Sequence, residues 1–255
     1  DNHSAYAAML TPVILKEAET IADTDETEKA AIEELKGWDY SMDASLIAPS
    51  LFEFIRIEMA RHLLGDELGE LYGSSLGRQH DFYIYSMLKK GPDRWVDNIN
   101  TPEEENMEMI IVQSIRSAVD TLSARYGVYG PGWQWGKIHT LTLEHPLGAV
   151  KILDRLLGLN SKTYAVGGSY HTVEPYSFRD NFTANHGASE RHIFNTADWD
   201  QSLTVIPTGT SGIPGSPFYL SQSDTYVNNG FYTEPFTETA VEAAKKYEMV
   251  FRPAK

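Results

Sequence analysis

The sequence has no cysteine, so disulfides and thiolate metal ligands are excluded; the compartment is left open. It is short of positive charge. Lys and Arg number 21 against 36 Asp and Glu, for a net charge of −15 and a pI near 4.9. A nucleic-acid partner needs a basic stripe to meet phosphates, and none is present. No run approaches the roughly 18 to 20 apolar residues of a membrane-spanning helix. The opening DNHSAY has neither the basic nor the apolar region of a leader peptide. It also lacks an initiator Met, as expected of a processed or proteolytic end. Several catalytic signatures are missing: a GKS/T phosphate loop, a strand-to-helix G-x-G-x-x-G, and H-E-x-x-H. There is no internal repeat and no low-complexity segment.

What is present is a folded composition of 255 residues, 42% hydrophobic and 22% charged. That is enough for one large domain or two small ones. Residues 1–130 read as helical. Tyr6, Met9, Leu10, Val13, Ile14 and Ala18 form a stripe, which Pro12 is expected to break or kink. Asp25 or Thr24 caps a second helix ended by Gly37. The acids of residues 1–36 read as a solvated face. Ser50–Leu64 is strongly helical, with apolar residues at 51, 52, 55, 59, 63 and 64. Asp81–Lys89 continues in that style. Thr101, Pro102 and three glutamates predict a helix start, running through Met109 and Leu122 towards Gly127.

At Gly130 the pattern changes. YGPGWQWGK is turn-rich, and it divides a helical segment 1–130 from a β-rich segment 131–255. Residues 138–145 alternate as a strand does. TYAVGG and YHTVEPYSF read as strands, AVKILDRLLGL as a short helix or turn. Asn185–Pro217 organises the rest. HGASERHIFNT predicts a strand, ADWDQS a polar corner and SLTVIP a second strand, the two forming an antiparallel pair. TGTSGIPGSP is loop chemistry throughout. A helix before Gly230, a helix opened by Thr237 and Glu238, and a closing YEMVFRP strand complete the expectation.

Few residues here point to chemistry. Ser211 is a nucleophile candidate, but its Gly and Pro neighbours favour a serine that folds its own loop. His139, His145, His171, His186 and His192 all fall in the β-rich half without metal-ligand spacing. Asp198 and Asp200 flank Trp199. They suit a cation or an acid pair, and better a corner accepting backbone N–H groups. Trp133 and Trp135 fit core packing better than a ligand groove.

Ordered motifs carry more. His186, Gly187, Ser189 and Arg191 give HG-x-S-x-R; Asp198 and Asp200 give D-x-D; then come TGTSG-x-PGSP and the FY-x-x-Q of Phe218, Tyr219 and Gln222. This order resembles the end of the β chain of penicillin amidases, which are N-terminal-nucleophile hydrolases. Trp135, Gly136 and His139 resemble that family's WG-x-x-H, His145–Leu147 its HPL, and Gly167, Gly168, Thr172 and Val173 its GG-x-x-x-TV. The resemblance is strong from about Trp133 onward; before Gly130 it rests on helical character.

The resemblance implies an α+β fold: a helical segment, then antiparallel strands completing an αββα sandwich. It implies an acylase that cleaves a linear amide through an N-terminal serine acting as nucleophile and base. This chain begins with Asp1, so no catalytic residue carries over with confidence. Glu174 is the weak candidate for the acid of a histidine–glutamate pair. No cofactor is expected here, since the family's calcium ligands would lie upstream. The implied partners are the rest of the β chain, the α chain of the same precursor and a small N-acyl substrate, in a periplasmic or extracellular setting. Alone, the chain is expected to be inactive. A non-catalytic binding domain of the same architecture is the alternative; a hydrolase built on Ser211, His186 and an aspartate is a third. A half β chain should leave an apolar face uncovered near Trp133, Trp135, Ile138, Leu141, Leu143, Val205 and Ile206.

Overall fold

The structure, a computed structural model, describes residues 2–21, 23–75, 79–91, 93–178 and 181–253. Helix and sheet are mixed, and the fold is 49% helical. Among the described residues, all strands lie after Gly130. The chain forms two compact units: residues 1–141 with 165–186, and residues 142–164 with 187–255. The change of pattern at Gly130 therefore falls inside the first unit.

The first unit starts with α1 (Ala5–Ala18), capped by the Ser4 hydroxyl on the Ala7 N–H. The helix runs on through Pro12, where the sequence predicts a break or kink; Leu10, Thr11 and Ile14 around it are fully buried. Tertiary packing outweighs the lost hydrogen bond. α2 (Glu26–Lys36) opens on a reciprocal capping box between Asp25 and Glu28 and closes at Gly37, as the sequence predicts.

α3 (Ala48–Leu68) is the axis of the unit. It is buried on nearly every side, including Glu53, Arg56 and Glu58, and packs most extensively on α6. α4 (Tyr72–Ser75), α5 (Gln79–Lys90) and α6 (Met107–Tyr126) follow. The helix start expected at Thr101 and Pro102 is displaced to Asn106, whose side chain accepts the Met109 N–H. Thr101 instead donates to Glu105 (2.8 Å), and Glu105 accepts the Asn98 N–H (2.9 Å). These bonds satisfy residues 98–105 as a loop, so the backbone gains nothing by coiling there.

After α6 the chain makes α7 (Trp135–Ile138), where the expected strand over 138–145 should begin. The Trp135 and Gly136 N–H groups donate to Leu46 and Ala44 carbonyls. Gly136 fits so closely that a Cβ would lie 2.8 Å from Ala44 Cβ and 2.9 Å from Ala165 Cβ. Only β1 (Thr140–Leu141) remains of the strand; beyond it Ser161 and Asn160 side chains take the Leu143 and His145 N–H groups. The sheet runs β2 (Tyr164–Ala165), β1, β4, β3, with β3 Ser177–Phe178 and β4 Thr183–His186. β1 and β4 are parallel, β3 and β4 antiparallel.

In the second unit β5 (Arg191–Ile193), β6 (Ser202–Val205) and β7 (Tyr232–Glu234) form an antiparallel sheet. The expected pair is there, although β5 is far shorter than HGASERHIFNT. Arg191 lies 4.3 Å over the Tyr226 ring. Gly209 is fixed by contact, since a Cβ would meet the Phe218 carbonyl at 2.1 Å. α8 (Lys151–Leu157), α9 (Ser223–Val227) and α10 (Glu238–Ala244) complete it. The closing strand does not form; residues 247–253 pair with no neighbouring backbone among the described residues.

The apolar face expected near Trp133 is covered. Trp133, Trp135 and Val205 are fully buried, Ile138 and Leu141 nearly so. Leu143 and Ile206 are half-buried. The indole N–H groups of Trp133 and Trp135 bond the Gly127 and Gly168 carbonyls, so both rings are internal at no polar cost. Exposed apolar side chains lie elsewhere: Ile152 and Leu156 on α8, and Met249 and Phe251 at the end.

His139 yields a test. It is fully buried, stacks on Trp135 at 4.6 Å, and its Nδ1 lies 2.8 Å from the Phe182 carbonyl. Burial pushes its pKa down to about 4. The unfolded chain binds that proton near pH 6.5, so stability falls as pH drops from 6.5 to 4, by up to about 3 kcal/mol. His139→Gln keeps a donor for Phe182 and should flatten that part of the profile in urea denaturation between pH 4 and 7. An unchanged profile would mean the imidazole is not the titrating group.

Candidate functional site

The densest chemistry in the first unit lies on the middle turns of α3. Glu53 and Arg56 are three residues apart on one helical face and both are buried. Arg56 donates from Nε to Glu53 Oε2 at 2.8 Å, and its Nη2 lies 2.7 Å from the same oxygen. Its Nη1 donates to Asp81 Oδ1 on α5 at 2.5 Å. The other Asp81 oxygen, Oδ2, meets His171 Nε2 at 2.8 Å. The Ser169 hydroxyl donates to the free end of Glu53, Oε1. Tyr6 on α1 stacks on the His171 ring at 4.7 Å and donates its hydroxyl to the Asp81 carbonyl. Four segments, α1, α3, α5 and the 169–171 turn, are thus tied directly or through one partner to the Arg56 guanidinium and its carboxylates.

The electrostatics follow from burial. Desolvation opposes the Arg56 charge, and the Glu53 and Asp81 carboxylates more than offset it, so Arg56 stays protonated at any accessible pH. Desolvation alone would raise Asp81; Arg56 and His171 outweigh it and hold Asp81 below the usual carboxylate range. Burial pushes the Tyr6 phenol up, with the Asp81 charge adding to it. The group contains an acid–imidazole pair but lacks a nucleophile: the Ser169 hydroxyl is engaged with Glu53, not with His171. Its chemical capacity is to hold charge and orientation.

Beside the network lies a cavity of about 500 Å³. Phe54, Phe178 and Phe182 floor it, with Phe54 and Phe182 stacked at 4.5 Å. Arg56 and Asp81 reach its wall.

The residues singled out by sequence fall as follows. Ser211 is a loop-folding serine in the second unit: its oxygen accepts the Ile213 N–H at 3.2 Å. His186 closes β4 in the first unit. Asp198 accepts the Asp200 N–H, and Asp200 accepts the Phe236 and Thr237 N–H groups and the Thr237 hydroxyl, all within 2.8 Å for the last three. Those bonds hold the Asp200 pKa below the usual range. The corner is therefore a backbone acceptor, on a 3-10 turn rather than a strand. Glu174 is half-buried, and its carbonyl accepts the Thr172 hydroxyl and the Tyr176 N–H. His145 caps Leu147; His192 lies 2.6 Å from Glu234. Among the described residues no three His, Asp or Glu side chains converge as a metal site would need. Of the five histidines, His171 alone joins the network.

Sequence reasoning passed over Glu53, Arg56, Asp81 and Ser169. The available signal was a helix too apolar to have a solvent side, which leaves its charged residues indoors.

A penicillin amidase family model matches residues 1–243. An acyl-homoserine lactone acylase QuiP of Pseudomonas syringae pv. tomato is 24% identical over 89% of this chain and 29% of its own length. A penicillin acylase 2 proenzyme of a Pseudomonas species is 30% identical over 36% of this chain and 12% of its own. Among solved structures, a thermostable penicillin G acylase from Alcaligenes faecalis matches with a TM-score of 0.55 and 15% identity. That match covers all of this chain and 48% of the other. The chain thus spans less than a third of the curated relatives it matches.

Arg56→Met should cost about 3–5 kcal/mol, because it leaves two buried carboxylates unpaired. Adding Glu53→Gln and Asp81→Asn to that variant should return much of the loss. Equilibrium urea unfolding of the two variants decides it; equal loss in both would mean the charges are not coupled.

Proposed function

The chain belongs to the penicillin amidase family, and on that premise we propose that it is the C-terminal part of the serine-bearing β chain of an acylase. The observation that carries this reading is a family match over nearly the whole chain combined with coverage of only 29% of an acylase relative. The reaction is hydrolysis of a linear acyl amide. An N-acyl-homoserine lactone is the first substrate to test and a β-lactam side-chain amide the second, following the activities in the relatives' names. The nucleophile is an N-terminal serine outside these 255 residues, which attacks the amide carbonyl while its own amine takes the proton. Backbone and amide donors outside this chain meet the oxyanion.

In this reading the chain supplies a scaffold, and its partners are the rest of the β chain and the α chain of one precursor. The site of action is periplasmic or extracellular. The buried ion network supports a scaffold role, since it has charge and rigidity without a nucleophile. Glu174 remains the one residue nominated for a histidine–glutamate pair, and its backbone bonds at the 172–176 turn favour a structural role.

The processed full-length protein should release free homoserine lactone from N-octanoyl-homoserine lactone, or 6-aminopenicillanic acid from benzylpenicillin, followed by mass spectrometry. The 255 residues alone should release neither. Turnover by the isolated chain, or none by the processed protein on either substrate, would overturn the reading. In the processed protein, Ser211→Ala and Glu174→Gln should keep turnover within a few-fold of the parent. A drop of a hundredfold or more with the fold intact would make the altered residue part of the chemistry.

A further inference from the structure

The 500 Å³ cavity beside the ion network has a chemical character of its own. Its floor is aromatic: Phe54 stacks on Phe182, and Phe182 packs on Phe178 at 5.2 Å. Its charged lining is Arg56, Arg61 and Arg125 against Glu58 and Asp81. Two of those cations are already matched, Arg56 by Asp81 and Glu53, Arg61 by Glu58 at 2.9 Å. Arg125 has no acidic partner among the described residues. It lies at the C-terminal end of α6, exposed, one turn after Thr121, whose side chain also lines the cavity. Its neighbour Tyr126 packs edge-on against Phe54, which places the cation at the margin of the aromatic floor. His80, which also lines the cavity, stacks on Tyr72 at 5.0 Å, and its buried Nε2 has no hydrogen-bond partner.

We infer that this cavity binds a small amphipathic monocarboxylate, with its apolar body on the phenylalanine floor and its carboxylate on Arg125 at the rim. The unpartnered His80 nitrogen is a second polar contact for the ligand head. The chemistry selects this class. A cation finds no free carboxylate there, since Glu58 and Asp81 are already paired with Arg61 and Arg56. A polyanion needs several free cations, and the rim offers one. A neutral apolar ligand would leave Arg125, whose side-chain partner is the neutral Tyr126, without a counter-charge and the orphan imidazole unanswered. The volume lies within the range of small-molecule sites, and an arginine fork takes a carboxylate through two parallel bonds. The inference does not rest on the proposed acylase reaction; because octanoate is also the acid that reaction would release, the Arg125 variants decide whether this cavity is the site that binds it.

The test is isothermal titration of the full-length protein at low salt with octanoate, octan-1-ol and acetate. Octanoate should bind at least tenfold more tightly than either control, because it alone has both body and charge. Arg125→Gln should weaken octanoate at least tenfold, leave octan-1-ol unchanged and leave the circular dichroism spectrum intact, since the side chain is exposed. Arg125→Lys should recover part of the affinity. His80→Phe, which keeps the ring stack on Tyr72, should weaken octanoate by a smaller factor. Equal binding of octanoate and octan-1-ol, an unaltered affinity in Arg125→Gln, or no binding of octanoate would each overturn the inference. The last result includes the case in which another part of the full polypeptide fills the cavity.

Discussion

The first unit depends on one guanidinium. Arg56 lies on a helix with almost no solvent-facing side, and a charge placed there is tolerable only if the fold brings it matching charge. Glu53 comes from the same helix and needs no tertiary help. Asp81 must be delivered by α5, and the groups that complete the two carboxylates, Ser169 and His171, by a segment beyond α7. The requirement is directional. A hydrophobic contact tolerates sliding by an ångström or two; a forked cation between two carboxylates does not. The network therefore fixes how α1, α3, α5 and the 169–171 turn are placed, while the apolar core supplies most of the energy.

Much of the fold could be read from residue types alone. Asp25, Gly37, Thr237 and Gly230 act where local rules put them, because capping involves atoms only a few residues apart. Expectation and structure part where competing hydrogen bonds or packing outweigh the helix and strand preferences of the residues. Thr101–Pro102 has the chemistry of a helix start, yet Glu105 and Asn98 close a loop there. Residues 138–145 alternate as a strand does, yet Leu46 and Ala44 capture the preceding backbone. Pro12 sits in an unbroken helix because the residues around it are buried. The site was less legible still. The apolar helix around Glu53 and Arg56 hints at their burial, but nothing local announces Asp81 and Ser169 as their partners.

The family assignment and the geometry agree on a division of labour. The family's motifs in the second half mark positions of tight backbone or structural hydrogen bonding: Gly136 against Ala44 and Ala165, Gly209 against Phe218, Arg191 on Tyr226, Asp200 on the 236–237 backbone. In this chain those positions are held by close packing and backbone hydrogen bonds. Such a signature identifies lineage strongly and chemistry weakly.

The Arg56 network also sets an order of events during synthesis. Glu53 and Ser169 are 116 residues apart, and Asp81 and His171 are 90 apart. At the usual pace of about 5–20 residues per second, roughly 6 to 23 s separate translation of Glu53 from that of Ser169. Through that interval Glu53 and Arg56 can pair within α3, but the bonds from Ser169 and His171 have no donor yet made. The ionic centre of the first unit can therefore be completed only by the last part of that unit to be synthesised.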